Sequence, residues 1–386
     1  MKKEITDQLR HVMEALESDF YHEMGEIRLE GFRTSEELSP EEAELCARER
    51  WPEGTAWGQP REYAWMFARF SLPPSVCGER VVMDLNPGGE ATLFLNGKPF
   101  GARRADRMAH PHQYRSDLTL TRQAEGGETY RLAMEVYAGT PLPAHPGRPV
   151  FPENGVRYEH EGPAVMGRST FGLWNEEAYQ LWLDLTVLRD VHDYLDQDDA
   201  FREALDAGFE RMLNDLDMEQ PLQERRKAYA RAREMMSPFK QAHNGTIAPQ
   251  IGVIANSHLD LAWLWTMGET RRKTARTFAA QLRLLKEYPE ALFIQSQCAE
   301  YELCRKYYPD LFEDIKKPFR EVSGLRTGAC GSNRTPIWPA ANRLSVSFST
   351  EGNISVRCSV WTAGWHGSRI RSDTVPRSLR FCAALA

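Results

Sequence analysis

A histidine and an aspartate two positions apart, His258 and Asp260, stand within the stretch IGVIANSHLDLAWLW, which covers residues 251–265. Residues two apart in an extended segment point to the same side of the chain. An imidazole and a carboxylate placed in this way can share one divalent cation, and zinc accepts both types of ligand. Trp263 follows closely and offers a flat apolar face of the kind that suits the C–H face of a sugar ring. These residue types at this spacing are candidates for a metal site beside a sugar-binding surface.

Taken alone, the motif is weak, because a bare His-x-Asp is more often a hydrogen-bonded loop pair than a pair of ligands. Tryptophans near the end of a strand are also more often core residues. The elements around the motif favour the metal interpretation. The preceding run IGVIAN is too short for a helix and lacks alternation, which is typical of a parallel strand buried on both faces. Functional groups in α/β barrels collect at the carboxyl ends of such strands, which is where His258 and Asp260 stand.

The segments after the motif predict the opening of an α/β domain. Residues 269–288 have the pattern of a long helix, LFIQSQ at 292–297 that of a second strand, and 301–317 that of a second helix. Strand–helix–strand–helix order is typical of α/β architecture. Within the first helix we interpret the basic run Arg271–Lys273 as a solvated helix face.

Three regions of different character precede this domain. Residues 1–50 are polar with helical spacing, and we predict an N-terminal helical segment. Residues 51–175 contain short alternating runs separated by Gly, Pro and Asn, which predict an antiparallel β-sandwich with a hairpin turn at Asn96-Gly97. Its apolar alternation predicts that the sandwich folds without help from the downstream α/β segment. Residues 176–246 have apolar positions three or four apart and predict a helical linker region.

Composition excludes several classes of protein. A length of 386 residues allows two or three domains, and a net charge of −7 argues against a nucleic-acid partner. The first residues lack the apolar run of a signal peptide, and no stretch reaches membrane-spanning length, so we expect no membrane partner. The seven cysteines form no CxxC pair, which favours a reducing cytoplasm as the location. Assembly into a homo-oligomer is left open.

Two runs within residues 251–317, IGVIANSHLDLAWLWTMGETRRKTARTFAAQLRLLKEYP and FIQSQCAEYELCRKYYPDLFEDIKK, resemble the α-mannosidases of glycoside hydrolase family 38. The cytosolic and bacterial branch is the more similar one. The resemblance implies a multidomain α+β protein. In that architecture an N-terminal antiparallel β-sandwich and a helical segment precede the first strand–helix units of an α/β barrel, which residues 247–317 would form.

The resemblance also implies an activity, the zinc-dependent hydrolysis of terminal α-mannosides with retention, in mannose and oligosaccharide breakdown. His258 and Asp260 match zinc ligands of the family, with one zinc ion per site, and Trp263 matches a tryptophan that packs against mannose. A second aspartate further along serves there as nucleophile and zinc ligand, and a later histidine completes the site. Asn256 stands where many members have a histidine that is not a ligand, so the zinc expectation is unaffected.

Residues 318–386 depart from the family pattern, because the nucleophile motif is not found in them. If the third base of each codon is read with the first two bases of the next, residues 328–351 permit GMWVEPDTNMAGGESLVRQFLYG. Residues 358–382 likewise permit FGVDSRMAWLPDTFGYSAALPQIL, which contains the expected nucleophile segment. Two long family-like runs in one alternative frame predict that this tail is a frameshift product. The nucleophile codon would span those of Arg369 and Ile370, so the chain as printed is expected to lack a catalytic carboxylate and to be inactive.

A second hypothesis comes from a different class of protein. The β-sandwich and helical segments could form a non-catalytic carbohydrate-binding or interaction protein. The DNA around the codons for Lys317 to Gly328 separates the two hypotheses. One inserted or deleted base would indicate a misread enzyme gene, whereas a clean frame would favour a shortened protein of its own.

Overall fold

A computed structural model describes residues 3–59, 61–103, 118–139, 163–241, 255–257, 259–261, 265–289, 291–295, 297–321, 328–329, 343–348 and 354–359. Its α-helices are α1 (Lys3–Ser18), α2 (Pro40–Glu44), α3 (Glu176–Tyr194), α4 (Ala200–Asp215), α5 (Leu222–Gln241), α6 (Met267–Glu287), α7 (Cys298–Tyr307) and α8 (Pro309–Glu321). Its strands are β1 (Tyr21–Glu26), β2 (Glu30–Thr34), β3 (Glu49–Arg50), β4 (Ala56–Gly58), β5 (Tyr63–Ser71), β6 (Val81–Asp84), β7 (Glu90–Leu95), β8 (Lys98–Arg103), β9 (Thr119–Thr121), β10 (Thr129–Tyr137), β11 (Ala164–Val165), β12 (Thr170–Trp174), β13 (Ala255–Asn256), β14 (Leu292–Ile294), β15 (Gly328–Ala329), β16 (Arg343–Phe348) and β17 (Ile354–Ser359).

Two antiparallel sheets form the predicted β-sandwich. One has four strands in the order β1-β12-β6-β9, and the other has six in the order β3-β2-β5-β10-β7-β8. Residues of both sheets, among them Met66 and Met134 of the six-stranded sheet and Met83 and Phe171 of the four-stranded sheet, meet in a shared apolar core. The predicted hairpin turn is confirmed between β7 and β8, where Asn96 and Gly97 have φ angles of 52° and 79°. Positive φ at both central residues is the geometry that Asn-Gly favours in a two-residue hairpin.

The sandwich also takes strands from the segment 1–50, so the prediction of a purely helical segment there is wrong in part. Only α1 and α2 are helical, whereas β1 pairs with β12 and β2 pairs with β5. The register of β1 places Tyr21 opposite Trp174, far along the chain, and local spacing carries no information about such a distant pairing. Ile27 and Leu29, between the two strands, are buried in the sandwich core.

Both outer faces of the sandwich are covered by helices. Val82 and Trp174 on the four-stranded sheet pack into a cluster with α1, α3, α4 and α5. Trp65 and Phe67 on the six-stranded sheet pack into a cluster with α6, α7 and α8. In β5 the consecutive residues 64–68 are all buried, so its apolar pattern is satisfied only when both faces are covered. Strict apolar alternation is therefore not found in β5, and independent folding of the sandwich stays a prediction.

The downstream segment contains a parallel sheet in the order β13-β14-β15, with α6 between the first two strands and α7 and α8 before the third. The predicted strand–helix–strand–helix order is confirmed, but the second helix is divided into α7 and α8. Tyr308 breaks it, with φ −138° and ψ 64°, because a residue before proline is biased away from the helical region and Pro309 follows. Strand β15 and the antiparallel hairpin of β16 and β17 lie within residues 318–386. Among the described helices, none combines the length and the apolar character needed to cross a membrane.

Candidate functional site

Of the three site residues predicted from the sequence, the structure describes Asp260, while His258 and Trp263 lie outside the described residues. Asp260 follows β13 at the carboxyl end of the parallel sheet, and its side chain is half-buried. Within the described part of the chain, no group of three or more His, Cys, Asp or Glu residues is placed to hold a metal ion. The convergence of His258 and Asp260 on one point stays a prediction.

Two glutamines hold the backbone on either side of position 258. Gln295 Nε2 donates to the carbonyl oxygen of Ser257 at 2.8 Å, and Gln297 Nε2 donates to that of Leu259 at 2.5 Å. Both glutamines closely follow β14, the strand next to β13, and Gln295 is buried. Among the described residues the main-chain pairing of these strands ends at Asn256 and Ile294, and the side-chain amides contact the backbone just beyond it.

A threonine of α6 holds the downstream end of the same segment. The hydroxyl of Thr270 donates to the carbonyl oxygen of Leu261 and accepts a hydrogen bond from Trp265 Nε1 at 3.1 Å. Thr266 caps the helix by accepting from the backbone N–H of Glu269 at 3.3 Å. The segment that carries Asp260 is thereby attached to the first turn of α6.

Sequence reasoning did not identify Gln295, Gln297 and Thr270 as part of the site. The two glutamines were assigned to the end of a strand, and Thr270 was only one polar position within a helix. The spacing of Gln295 and Gln297 was a usable signal, because residues two apart after a strand point to one side, as His258 and Asp260 are expected to do.

Buried charges fix α6 to the six-stranded sheet, and the interpretation of Arg271–Lys273 as a solvated face is wrong. Arg272 Nε donates to Glu135 of β10 at 2.6 Å, and Arg271 donates to Glu37 at 2.8 Å. Both arginine side chains are buried, as is that of Glu135. The sandwich supplies carboxylates to the helix face that carries these arginines, and charged groups are buried when they are paired in this way.

A second set of buried polar contacts lies closer to the N-terminus of α6. The carboxylate of Glu269 accepts a hydrogen bond from the Tyr63 hydroxyl at 3.0 Å and pairs with Arg276, which also donates to Glu90 at 2.8 Å. Burial raises the pKa of Glu269, although Arg276 and Lys273 act in the opposite direction. Because Glu269 lies next to Thr270, the sandwich holds the same helical turn that holds the Asp260 segment.

Glu300, in the first turn of α7, is a buried acid of a different kind. Its side chain is fully buried, and among the described residues neither carboxylate oxygen has a hydrogen-bond partner. Burial raises the pKa of Glu300 to about 8, because an unpaired carboxylate is poorly solvated inside the protein. The group is therefore expected to be largely protonated in the folded state near neutral pH.

This shift predicts a pH dependence of stability. The Glu300 carboxyl ionises near its ordinary pKa of 4.5 in the unfolded chain but near 8 in the folded chain, so the folded state binds more protons between these values. The free energy of unfolding then falls as the pH rises from 4.5 to 8. Glu300→Gln is neutral at every pH and is expected to be more stable than wild type at the upper end of this range, with a difference that shrinks toward the lower end. Urea unfolding across this range measures it, and parallel pH profiles for the two proteins would contradict it.

Comparison with known proteins bears on this part of the fold. Residues 248–323, which contain Asp260, match the N-terminal domain of the glycosyl hydrolases of family 38. Residues 26–157 match the jelly roll domain of α-mannosidases. In these two segments the chain is similar to the α-mannosidases of glycoside hydrolase family 38. The jelly roll match begins at residue 26, in agreement with the strands that the structure places before residue 51.

Several curated relatives of the chain are named α-mannosidases. The human protein alpha-mannosidase 2C1 is 24% identical over 292 residues, which are 75% of this chain and 26% of that protein. Alpha-mannosidase G of Dictyostelium discoideum is 26% identical over 276 residues, 71% of this chain and 24% of that protein. An alpha-mannosidase of Saccharomyces cerevisiae is 30% identical over 117 residues, 30% of this chain and 11% of that protein. The chain spans about a quarter of the length of the first two relatives.

Solved structures give a weaker likeness. A β-glucuronidase from Ruminococcus gnavus in complex with D-glucuronic acid superposes with a TM-score of 0.26 and 12% identity, over 40% of this chain and 30% of that one. A TM-score of this size is lower than the scores found between proteins that share a fold.

Proposed function

We propose that this chain carries the accessory domain and the first part of the catalytic domain of a zinc-dependent α-mannosidase, which hydrolyses terminal α-mannosides with retention. The match of residues 248–323 to the family 38 N-terminal domain is the observation that carries the proposal. The position of Asp260 at the carboxyl end of a parallel strand supports it, since functional groups of α/β folds collect there.

His258 and Asp260 would hold the metal, because an imidazole and a carboxylate are both ordinary zinc ligands. Zinc bound there would bind hydroxyl groups of the sugar and stabilise the charge that develops in the transition state. Trp263 would orient the substrate by packing against the apolar face of the mannose ring. Asp260 is half-buried, so its carboxylate is neither fully exposed to water nor sealed in the core.

The parallel strands β13, β14 and β15 with α6, α7 and α8 are proposed as the opening units of an α/β barrel. Residues 318–386 are proposed to be a frameshift product, with the nucleophile codon spanning Arg369 and Ile370, which lie outside the described residues. A retaining glycosidase needs an attacking carboxylate as well as an acid–base group. A catalytic zinc usually takes three protein ligands, and this chain offers two. We therefore infer that it binds zinc weakly and does not turn over mannosides as printed.

The hypothesis of a non-catalytic carbohydrate-binding or interaction protein is less well supported. Helices pack on both outer faces of the described sandwich, so a ligand cannot bind to an uncovered sheet face in the regions that these helices contact. Mannosides and their oligosaccharides remain the proposed ligands and the cytoplasm the proposed location. Cys46, Cys77 and Cys304 are free thiols.

Equilibrium dialysis with zinc tests the proposed metal site. The full chain is expected to bind one zinc ion weakly, and Asp260→Asn is expected to abolish that binding because it removes a ligand. Asp198→Asn, at an exposed position far from the site in sequence, serves as the matched control and should bind as wild type does. Equal zinc binding by Asp260→Asn and wild type would refute the metal site.

A further inference from the structure

We propose that Gln295, Gln297 and Thr270 are positioning residues that set the geometry of the His258–Asp260 metal pair. This inference rests on the proposed function, because it assigns a role toward the same metal. The three side chains do not act as ligands. They hold the backbone from which the ligands project.

The pattern of the hydrogen bonds carries the inference. The carbonyl oxygens of Ser257, Leu259 and Leu261 accept bonds from Gln295, Gln297 and Thr270 respectively. Every second carbonyl of the segment is therefore held by a side chain. Carbonyl groups two residues apart lie on the same side of an extended backbone, so three hydrogen bonds at this spacing are the pattern expected to hold an extended segment. In the sequence, His258 and Asp260 are the two residues that separate Ser257, Leu259 and Leu261.

Within the described part of the chain, the two glutamine side chains contact the backbone just beyond the main-chain pairing of β13 and β14. Strand β13 pairs with β14 through Asn256 and Ile294, and the two glutamines closely follow Ile294. Beyond this pair the carbonyl oxygens of Ser257 and Leu259 accept hydrogen bonds from the side-chain amides of Gln295 and Gln297. Leu259 is buried, and a buried carbonyl group without a hydrogen-bond partner is costly in free energy. The hydrogen bond from Gln297 removes this cost.

The donors are themselves firmly held. Gln295 and Thr270 are buried, and the Tyr301 hydroxyl donates to the backbone carbonyl of Gln295 at 3.0 Å. Glu269, next to Thr270, is fixed by Tyr63 and Arg276. A functional group has to be held within about 0.5 Å of its productive position, and rigid supporting residues provide this. Loss of a supporting hydrogen bond behind metal ligands typically costs about 10–100-fold in metal affinity.

The test uses paired variants of the full chain. Thr270→Val removes the hydroxyl and keeps the shape, whereas Thr270→Ser keeps the hydroxyl. Gln297→Met removes the amide donor at a half-buried position and keeps the length of the side chain. This variant provides an independent measurement of zinc affinity if Thr270→Val fails to fold. Zinc affinity is measured by equilibrium dialysis. The visible absorption of Co²⁺ as a zinc substitute reports coordination geometry, and thermal unfolding without metal reports structure.

We expect Thr270→Val and Gln297→Met to bind zinc about tenfold more weakly and to alter the Co²⁺ spectrum, with Thr270→Ser close to wild type. If Asp260→Asn loses zinc while Thr270→Val and Gln297→Met keep wild-type affinity and spectrum, the positioning role is refuted and the metal site stands. If wild type binds no more zinc than Asp260→Asn does, both the metal site and the positioning role are refuted. A loss that Thr270→Ser fails to restore would also refute the role of the Thr270 hydroxyl.

Discussion

Restoring the reading frame near the codon for Lys317, together with the downstream gene, is expected to produce a zinc-dependent α-mannosidase activity that the chain as printed is expected to lack. The restored frame permits the segment WLPDTFGY, whose aspartate is the proposed nucleophile and, by resemblance to the family, a further zinc ligand. Without an attacking carboxylate the covalent route is closed. Removal of a nucleophile from an enzyme can cost about 10⁶ in kcat, and we expect a gain of that order on restoration.

Turnover of an aryl α-mannoside measures this gain in both proteins, with and without a chelator. The matched control is the restored gene with the nucleophile codon changed to asparagine, which should remain inactive while still folding. Sequencing of the DNA between the codons for Lys317 and Gly328 is the accompanying observation. Clear zinc-dependent turnover by the chain as printed would show that the nucleophile lies elsewhere.

Glu135→Ala is expected to produce the largest loss of stability among single substitutions at the contact between the sandwich and α6. The Glu135 carboxylate accepts from Arg272 at 2.6 Å and from the Tyr308 hydroxyl at 3.0 Å, and it lies 3.7 Å from Arg271. All four side chains are buried. Removal of the carboxylate leaves Arg272 as an uncompensated buried charge, so the free energy of unfolding should fall by about 3–5 kcal/mol.

Urea unfolding followed by tryptophan fluorescence measures this loss. Glu224→Ala is the matched control, because Glu224 pairs with Lys227 at 2.8 Å on the exposed side of α5. Exposed helix pairs contribute only about 0.3–0.5 kcal/mol, so this variant should unfold almost as wild type does. Equal effects of the two substitutions would show that the buried cluster does not hold α6 against the sheet.

Local spacing along the chain predicted much of the fold. The alternating run TYRLAMEVY became β10 over Thr129–Tyr137, and the apolar spacing of residues 269–288 became most of α6. Such patterns can be read without the structure because side-chain direction repeats every two residues in a strand and about every 3.6 in a helix. The same local reading placed Asp260 just after a parallel strand, where the structure has it.

Local spacing failed where burial depends on distant partners. The segment 1–50 was predicted to be helical, yet β1 and β2 are completed by strands that come later in the chain. Arg271 and Arg272 have the composition of a solvated helix face, but Glu135, which belongs to the sandwich and lies far earlier in the sequence, pairs with both in the interior.

The resemblance to family 38, the strand–helix order after residue 250 and the candidate ligands could be predicted from the sequence by itself, because each of these depends on a short continuous stretch. Only the tertiary structure shows which side chains contact the backbone next to Asp260. Gln295 and Gln297 donate to carbonyl groups that precede the whole of α6 in the sequence, and Thr270 donates to the carbonyl of Leu261, nine residues earlier. A hydrogen bond needs its donor and acceptor within about 3 Å of each other, and only the folded chain brings separate segments that close.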